Sequence, residues 1–290
     1  MKRILACIDA SSYAGRVCDL TAWVAKRLDS SVELLSVVQR NNAAATRNDL
    51  SGAIGLGVKS SLLEELTKID EAEGKLAIER GRIVLDSAYE RMKEMGLEDV
   101  LITHRHGGIV ETITEREVDA DLVVIGKRGG SHEFAKGHIG SKVERVIRAS
   151  VKPVLIASSR GPDLATSDPT AVIVAFDGGE ASTKALEFAA SSLLFKGLPL
   201  QVIIAGPDDS RHRKLEEKAK EQLKNLGNNG TVTLKDGAPE MVIGQTMKDN
   251  PDGFLVMGAY GHSPLRTLIV GSTTTTMIRT IHAPVLLIRP

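Results

Sequence analysis

Residues 254–276 read FLVMGAYGHSPLRTLIVGSTTTT. An apolar run ends at Gly258, a second glycine follows at Gly261, and Gly271-Ser272 opens a run of hydroxyl residues. A tight turn needs one glycine, or two at most. The third, joined to Ser and Thr, asks for another reason. A strand-end glycine removes the Cβ that would hold a ligand off the backbone. A helix start offers unpaired N–H groups and the positive end of its dipole. On this reading Gly258 floors a sugar or base and Gly261 lets the loop turn its N–H groups inward. Gly271, Ser272 and Thr273 then form a cradle for phosphate. Each piece alone is weak, because Gly-x-x-Gly is common and Gly-Ser before a helix is most often a cap.

Repetition gives the reading its weight. Residues 120–158, ADLVVIGKRGGSHEFAKGHIGSKVERVIRASVKPVLIAS, match residues 252–290, DGFLVMGAYGHSPLRTLIVGSTTTTMIRTIHAPVLLIRP. Both give a buried strand, Gly-x-x-Gly, a loop, Gly-Ser, a helix, a proline and a last strand. Earlier, RILACIDASSYAGRVCDLTAWVAKRL at 3–28 matches AVIVAFDGGEASTKALEFAASSLLFKG at 171–197, each with an Asp after a short apolar strand (Asp9, Asp177). Two agreements in the same order indicate a tandem of related domains, 1–157 and 170–290, joined by the Ser/Pro/Gly/Asp-rich linker 158–170. A chain of 290 residues suits two domains, since single cores stop growing near ~250–300 residues.

Strand and helix alternate within each copy. Strands are expected near 3–8, 32–38, 99–103, 121–126 and 153–157, then near 171–176, 200–205, 231–235, 254–258 and 284–288. Runs such as LVVI and FLVM are continuously apolar, as in strands covered on both faces. The fold class is therefore α/β, with two doubly wound, Rossmann-like domains built on parallel sheets. Such sheets bind ligands at the carboxyl ends of their strands, where strand order reverses. Asp9 and Asp177 end first strands, Gly126 and Gly258 end fourth strands, and these strands are the expected neighbours at the crevice. Each Asp is placed to accept from a ribose hydroxyl.

The copies differ in length. Asp9 to Gly126 spans 117 positions and Asp177 to Gly258 spans 81. Most of the excess falls at 41–95. Its first part is small and polar, a loop. Its later part has helical periodicity with Glu64–Lys68 and Glu71–Lys75 pairs, reads as a solvated amphipathic helix, and has Gly74 and Gly81 as bending points.

Lys+Arg and Asp+Glu both number 37, which argues against a general nucleic-acid or polybasic membrane surface. No apolar stretch approaches the ~20 residues of a membrane helix. The opening MKRILACIDA is cut short by Asp9 and is not a signal peptide. Cys7 and Cys18 have no metal or CxxC spacing, so a reduced cytoplasmic protein is expected, with Cys7 a small core residue. His104, His106, His132 and His138 match no ligand signature, and strand alternation is read as not requiring His104 and His106 to face one side. They are taken as exposed loop histidines, with no metal. GxxxxGK[ST], GxSxG and a Mg²⁺-binding carboxylate pair beside the cradle are not seen.

The stretch from Val256 to Ile288, with Gly-x2-Gly-x9-Gly-Ser and a final Pro-Val strand, resembles the signature of the universal stress protein family. The resemblance covers nearly the whole chain, one domain per half. It implies a five-stranded sheet in order 3-2-1-4-5 in each. It also implies ATP as the ligand, alone or with Mg²⁺, in a stress-response sensor or regulator. By the same resemblance Asp177 contacts the nucleoside, Gly258 lines the ribose, and Gly261, Gly271, Ser272 and Thr273 hold the phosphates. The family's adenine-side residue falls near Gly206, where a Val is often found. The first copy has Asp9, Val37, Gly126, Gly129, Gly140 and Ser141 at these places, but ten residues precede Gly140 rather than nine, and Glu133 enters the loop. The second half is therefore expected to be the more ATP-competent. Alternatives are a slow ATP hydrolase, an enzyme autophosphorylating within Ser272–Thr276, or a nucleotide-free scaffold. The last strands, KPVLIAS and APVLLIRP, are sheet edges in this order and invite pairing into a pseudo-dimer within the chain; the same edge argument extends to a homodimer.

Overall fold

The computed structural model describes residues 3–38, 56–129, 141–259 and 272–290. In the first half the elements run β1 (Arg3–Cys7), α1 (Ala14–Leu28), β2 (Ser31–Val38), α2 (Leu56–Glu94), β3 (Val100–His106), α3 (Ile109–Arg116), β4 (Leu122–Gly126), α4 (Ser141–Ala149) and β5 (Val154–Ala157). In the second they run β6 (Val172–Ala175), α5 (Glu180–Ser191), β7 (Leu200–Ala205), α6 (Ser210–Asn225), β8 (Thr231–Lys235), α7 (Pro239–Asp249), β9 (Phe254–Gly258), α8 (Ser272–Thr280) and β10 (Val285–Ile288).

All ten strands form one sheet in the order β3-β2-β1-β4-β5-β10-β9-β6-β7-β8. Each half has the expected order 3-2-1-4-5, with β1 beside β4 and β6 beside β9. Within each half the pairs are parallel. The halves join where β5 meets β10 antiparallel, Leu155 opposite Leu286. This join removes two exposed sheet edges at once.

Burial follows from the sequence pattern. The first four residues of β4 and of β9 are buried, because helices cover both faces of those central strands. In α4 the buried residues are Val143, Val146 and Ile147, and in α8 Thr274, Met277 and Ile278, the same helical spacing in both. One cluster of buried residues on each sheet face runs through both halves.

Four of the aromatics, Trp23, Phe188, Phe195 and Phe254, gather at the seam. Phe195 and Phe254 meet edge-on at 5.0 Å, and Trp23 of α1 lies 5.8 Å from Phe254. Trp23 Nε1 donates to Asp168 Oδ1 at 2.6 Å, and Arg27 Nε donates to the Leu194 carbonyl at 2.5 Å.

The insertion helix α2 is uninterrupted over Leu56–Glu94; Gly74 and Gly81 do not break it. Its exposed part carries Ile69, Leu76 and Ile83, while Leu85, Ala88 and Met92 reach the core. Among the described side chains, the amphipathic reading holds only for its last turns. Of the loop expected at 41–57, residues 41–55 lie outside the described residues, and Leu56 and Gly57 already belong to α2.

Candidate nucleotide crevice

In the first half, the carboxyl ends of β1, β2 and β4 open into a cavity of about 370 Å³. Asp9, Val37, Gly126 and Gly129, four residues singled out from the sequence, all line it. Topology brings them together: β1 lies between β2 and β4, so residues just past these strands must share one edge. The glycines matter by their lack of bulk. A Cβ at Gly129 would stand 2.9 Å from Asp9 Oδ2, and one at Gly126 would stand 2.9 Å from the Tyr13 Cβ. Asp9 Oδ1 accepts from the Ser11 N–H at 3.2 Å, which shapes the turn after β1.

The rest of the lining is of two kinds. Ile109, Ile113, Ile125, Val143 and Val146 give an apolar wall, and among the described residues Arg80, Arg128 and Lys142 bring cations and Asp9 a carboxylate. Cys7 also lines it; burial first, then Asp9, raises its thiol far above the ordinary range, so it serves as an apolar group. Sequence reading missed Arg80, which reaches the cavity because α2 passes over the sheet edge. Gly140 lies outside the described residues, and Ser141 is the first residue of α4.

In the second half Asp177 follows β6 and Gly258 ends β9. Asp177 Oδ1 accepts from Gly179 N–H at 2.9 Å and from Ser182 Oγ at 2.6 Å. A Cβ at Gly258 would stand 2.7 Å from backbone atoms of Ala181 and Ser182, so α5 packs directly on this strand end. Gly206 follows β7 with φ of +149°, and the His212 ring covers it. Ser272 and Thr273 begin α8, and Thr273 Oγ1 donates to Glu240 Oε1 at 2.7 Å. This bond, together with the backbone, holds the Glu240 carboxyl below its usual range. Gly261 and Gly271 lie outside the described residues. His212 and Glu240 were also missed; the readable signal for His212 was the Asp209-x-x-His212 helix start, three residues past Gly206.

His104 and His106 are not loop residues. Both belong to β3, and being two apart they share a face, where their rings stack 5.7 Å apart. The His104 ring fills the space left by Gly81, with Nε2 2.7 Å from where a Cβ would stand. Burial first, then His106, lowers the His104 pKa, which favours the neutral ring. His132 and His138 lie outside the described residues.

Comparison with known proteins gives the same architecture a lineage. The model of the universal stress protein family matches residues 1–158 and again 170–289. Universal stress protein Slr1230 of Synechocystis sp. is 33% identical over 292 residues, covering 100% of both chains. Among solved structures, a universal stress protein from Archaeoglobus fulgidus superposes with TM-score 0.70 at 22% identity, over 99% of this chain and 98% of that one. A putative universal stress protein from Pseudomonas aeruginosa does so with TM-score 0.62 at 17% identity, over 100% and 94%. The chain belongs to the universal stress protein family, as two tandem copies of its domain.

Proposed function

We propose that this chain binds an adenine nucleotide at the carboxyl edge of its sheet and acts as a nucleotide-dependent regulator in a stress response. One observation carries the reading: Asp9, Val37, Gly126 and Gly129 line a single cavity of about 370 Å³. That size falls in the range of small-molecule sites, ~300–1,000 Å³. Its apolar wall suits a planar base. Arg80, Arg128, Lys142 and the N-terminus of α4 suit phosphate, and Asp9 suits a ribose hydroxyl. The residues present fit ATP, which brings its own phosphates and any accompanying Mg²⁺; the chain's contribution is to hold and orient them.

The regular glycine spacing supports the second half as the tighter phosphate cradle, whereas the cavity supports the first half. The loops that decide between them, 130–140 and 260–271, lie outside the described residues.

The test is to purify the protein, denature it and identify the small molecule released, then repeat after incubation with ATP. Released ATP is expected. ADP accumulating from added ATP would favour the slow hydrolase, and a protein that never takes up nucleotide would leave the scaffold reading in its place.

A further inference from the structure

The helices that follow the second strand of each half can be matched by burial. In α2 the buried residues are Leu85, Ala88 and Met92; in α6 they are Glu216, Ala219 and Leu223, with the same spacing. Four residues before the first of each set stand Gly81 and His212. One turn later come Val84 and Leu215, and then Ser87 and Lys218. At all three places the first half has the smaller side chain.

The consequence appears at the sheet edge. In the first half Gly81 lines the open cavity. In the second, the His212 ring sits so close over Gly206 that a Cβ there would stand 2.3 Å from its Nε2. Asp209 fixes that ring. Its Oδ1 caps α6 by accepting from the His212 N–H at 2.8 Å and lies 2.8 Å from the ring Nδ1. Leu215 closes on Gly178, where a Cβ would stand 2.4 Å from its Cδ2, and Lys218 Nζ donates to the Gly178 carbonyl at 2.9 Å. Sheet register equates Gly206 with Val38, which lines the first cavity beside Val37. The covered position is therefore the base side of the second crevice.

We propose that His212 is a built-in occupant of the base side of the second crevice, clamped by Asp209, and that it must swing away before an adenine nucleotide enters that half. This rests on the reading that the strand ends bind nucleotide. Under it the halves are unequal by design: one crevice stands ready, and the other opens only when a rotamer changes. Gly206 belongs to the same device, since any side chain there would collide with the ring.

Calorimetric titration of ATP into nucleotide-stripped full-length protein tests this. Wild type is expected to bind one ATP per chain, and His212→Ala two, the second at least tenfold tighter than any second event in wild type. In a Gly129→Val background, which fills the first cavity beside Asp9, binding should nearly vanish, and adding His212→Ala should restore one ATP. Asp209→Ser keeps a capping oxygen but loses the carboxylate clamp, and should give a partial gain of about threefold. Two equal ATP sites in wild type would overturn the proposal. So would weaker binding after His212→Ala, which would make His212 a contact to the base. If every form binds no ATP, the nucleotide reading itself fails. If wild type binds one and no variant gains, only the occupant fails.

Discussion

At the end of its second strand the first half has Val38 beside an open cavity; the second half has Gly206 beneath the ring of His212. In both halves the strands beside it follow the same order and pair parallel. The difference lies in the following helix, where Gly81, Val84 and Ser87 of the first half stand in the places of His212, Leu215 and Lys218 of the second. The fold fixes where a ligand would go, and the helix face over that place decides whether the place is empty. Duplication inside one chain lets the two settings coexist on one sheet.

The halves also solve the same core position differently, and this gives the largest expected effect. Glu33 on β2 is fully buried and accepts from Arg116 Nε and Nη2 at 2.9 and 2.8 Å, with Arg3 3.8 Å away. Register equates it with Gln201, a neutral residue on β7. Arg116→Ala should cost ~3–5 kcal/mol, because it strands a buried carboxylate. Replacing the pair by Gln and Met, neutral like Gln201 of the second half, should recover most of that loss. Burial alone would raise the Glu33 pKa, but the hydrogen bonds from Arg116 and Thr103 and the charges of Arg116 and Arg3 bring it below the usual range. The stability it contributes is therefore present above the ordinary carboxylate range and is lost as pH falls through the lower folded value. Urea denaturation at pH 7 and pH 4 checks both statements. A loss under ~1 kcal/mol for Arg116→Ala, the size typical of an exposed pair, would mean the halves do not differ here energetically.

Strand positions were legible, because continuous apolar runs and paired glycines are local signals and the repeat displayed each of them twice; the full strand order, and with it the pairing of the last strands, came from the resemblance to the universal stress protein family. Asp9, Gly126 and Gly129 stood out by the repeat and Val37 by the resemblance; the structure adds that all four line one cavity. What could not be read was how helices lie over the edge. Arg80 and His212 act through the rotation of α2 and α6 about their axes, which the last buried turns set. In α2 those turns come after a long exposed stretch that dilutes the pattern. Stacking of His104 on His106 was missed by misjudging strand alternation, since residues two apart share a face.

A second contrast follows the fourth strand. Lys127 and Ala259 occupy equivalent places, donating backbone N–H groups to Ala157 and Ile288, and both are buried. Lys127 Nζ reaches into the other half and donates to the Ile281 carbonyl at 2.7 Å, just past α8, where the negative end of the helix dipole lies. Burial, with Arg128 adding repulsion, pushes its pKa down to about 8. An unfolded Lys titrates near ~10.4, so between these values the unfolded chain binds more protons and stability should rise with pH. The contribution is fully recovered above the unfolded pKa and lost as pH falls through about 8. Urea midpoints at pH 7.5 and pH 10 should show this rise as a difference between wild type and Lys127→Met, up to ~1.4 kcal/mol per pH unit, because the raised thiols of Cys7 and Cys18, which lose stability as pH rises, act equally in both. Parallel wild-type and Lys127→Met curves over that range would mean that Lys127 gains enough from Ile281 to offset its burial, and would bring the two equivalent positions closer in kind.

The smallest expected effect concerns how unequal the halves are at their seam. Helix α1 of the first half grips the linker and the second half: Arg27 Nη1 meets Asp168 Oδ2 at 3.1 Å, and Trp23 Nε1 meets Oδ1. The Asp168 side chain is about half exposed, so solvent screens the pair. Asp168→Ala should cost about 1 kcal/mol, mostly the lost indole bond. The chain has a single tryptophan, so its fluorescence reports on this seam alone, while far-UV circular dichroism reports on all the helices and strands. Because β5 and β10 share one sheet and the buried clusters run through both halves, the two signals should fall together in wild type. Asp168→Ala should move both midpoints by the same small amount. If fluorescence falls first in the variant, the halves are separable units and α1 supplies much of their union. If the curves stay coincident, the paired last strands hold the seam and α1 only trims it.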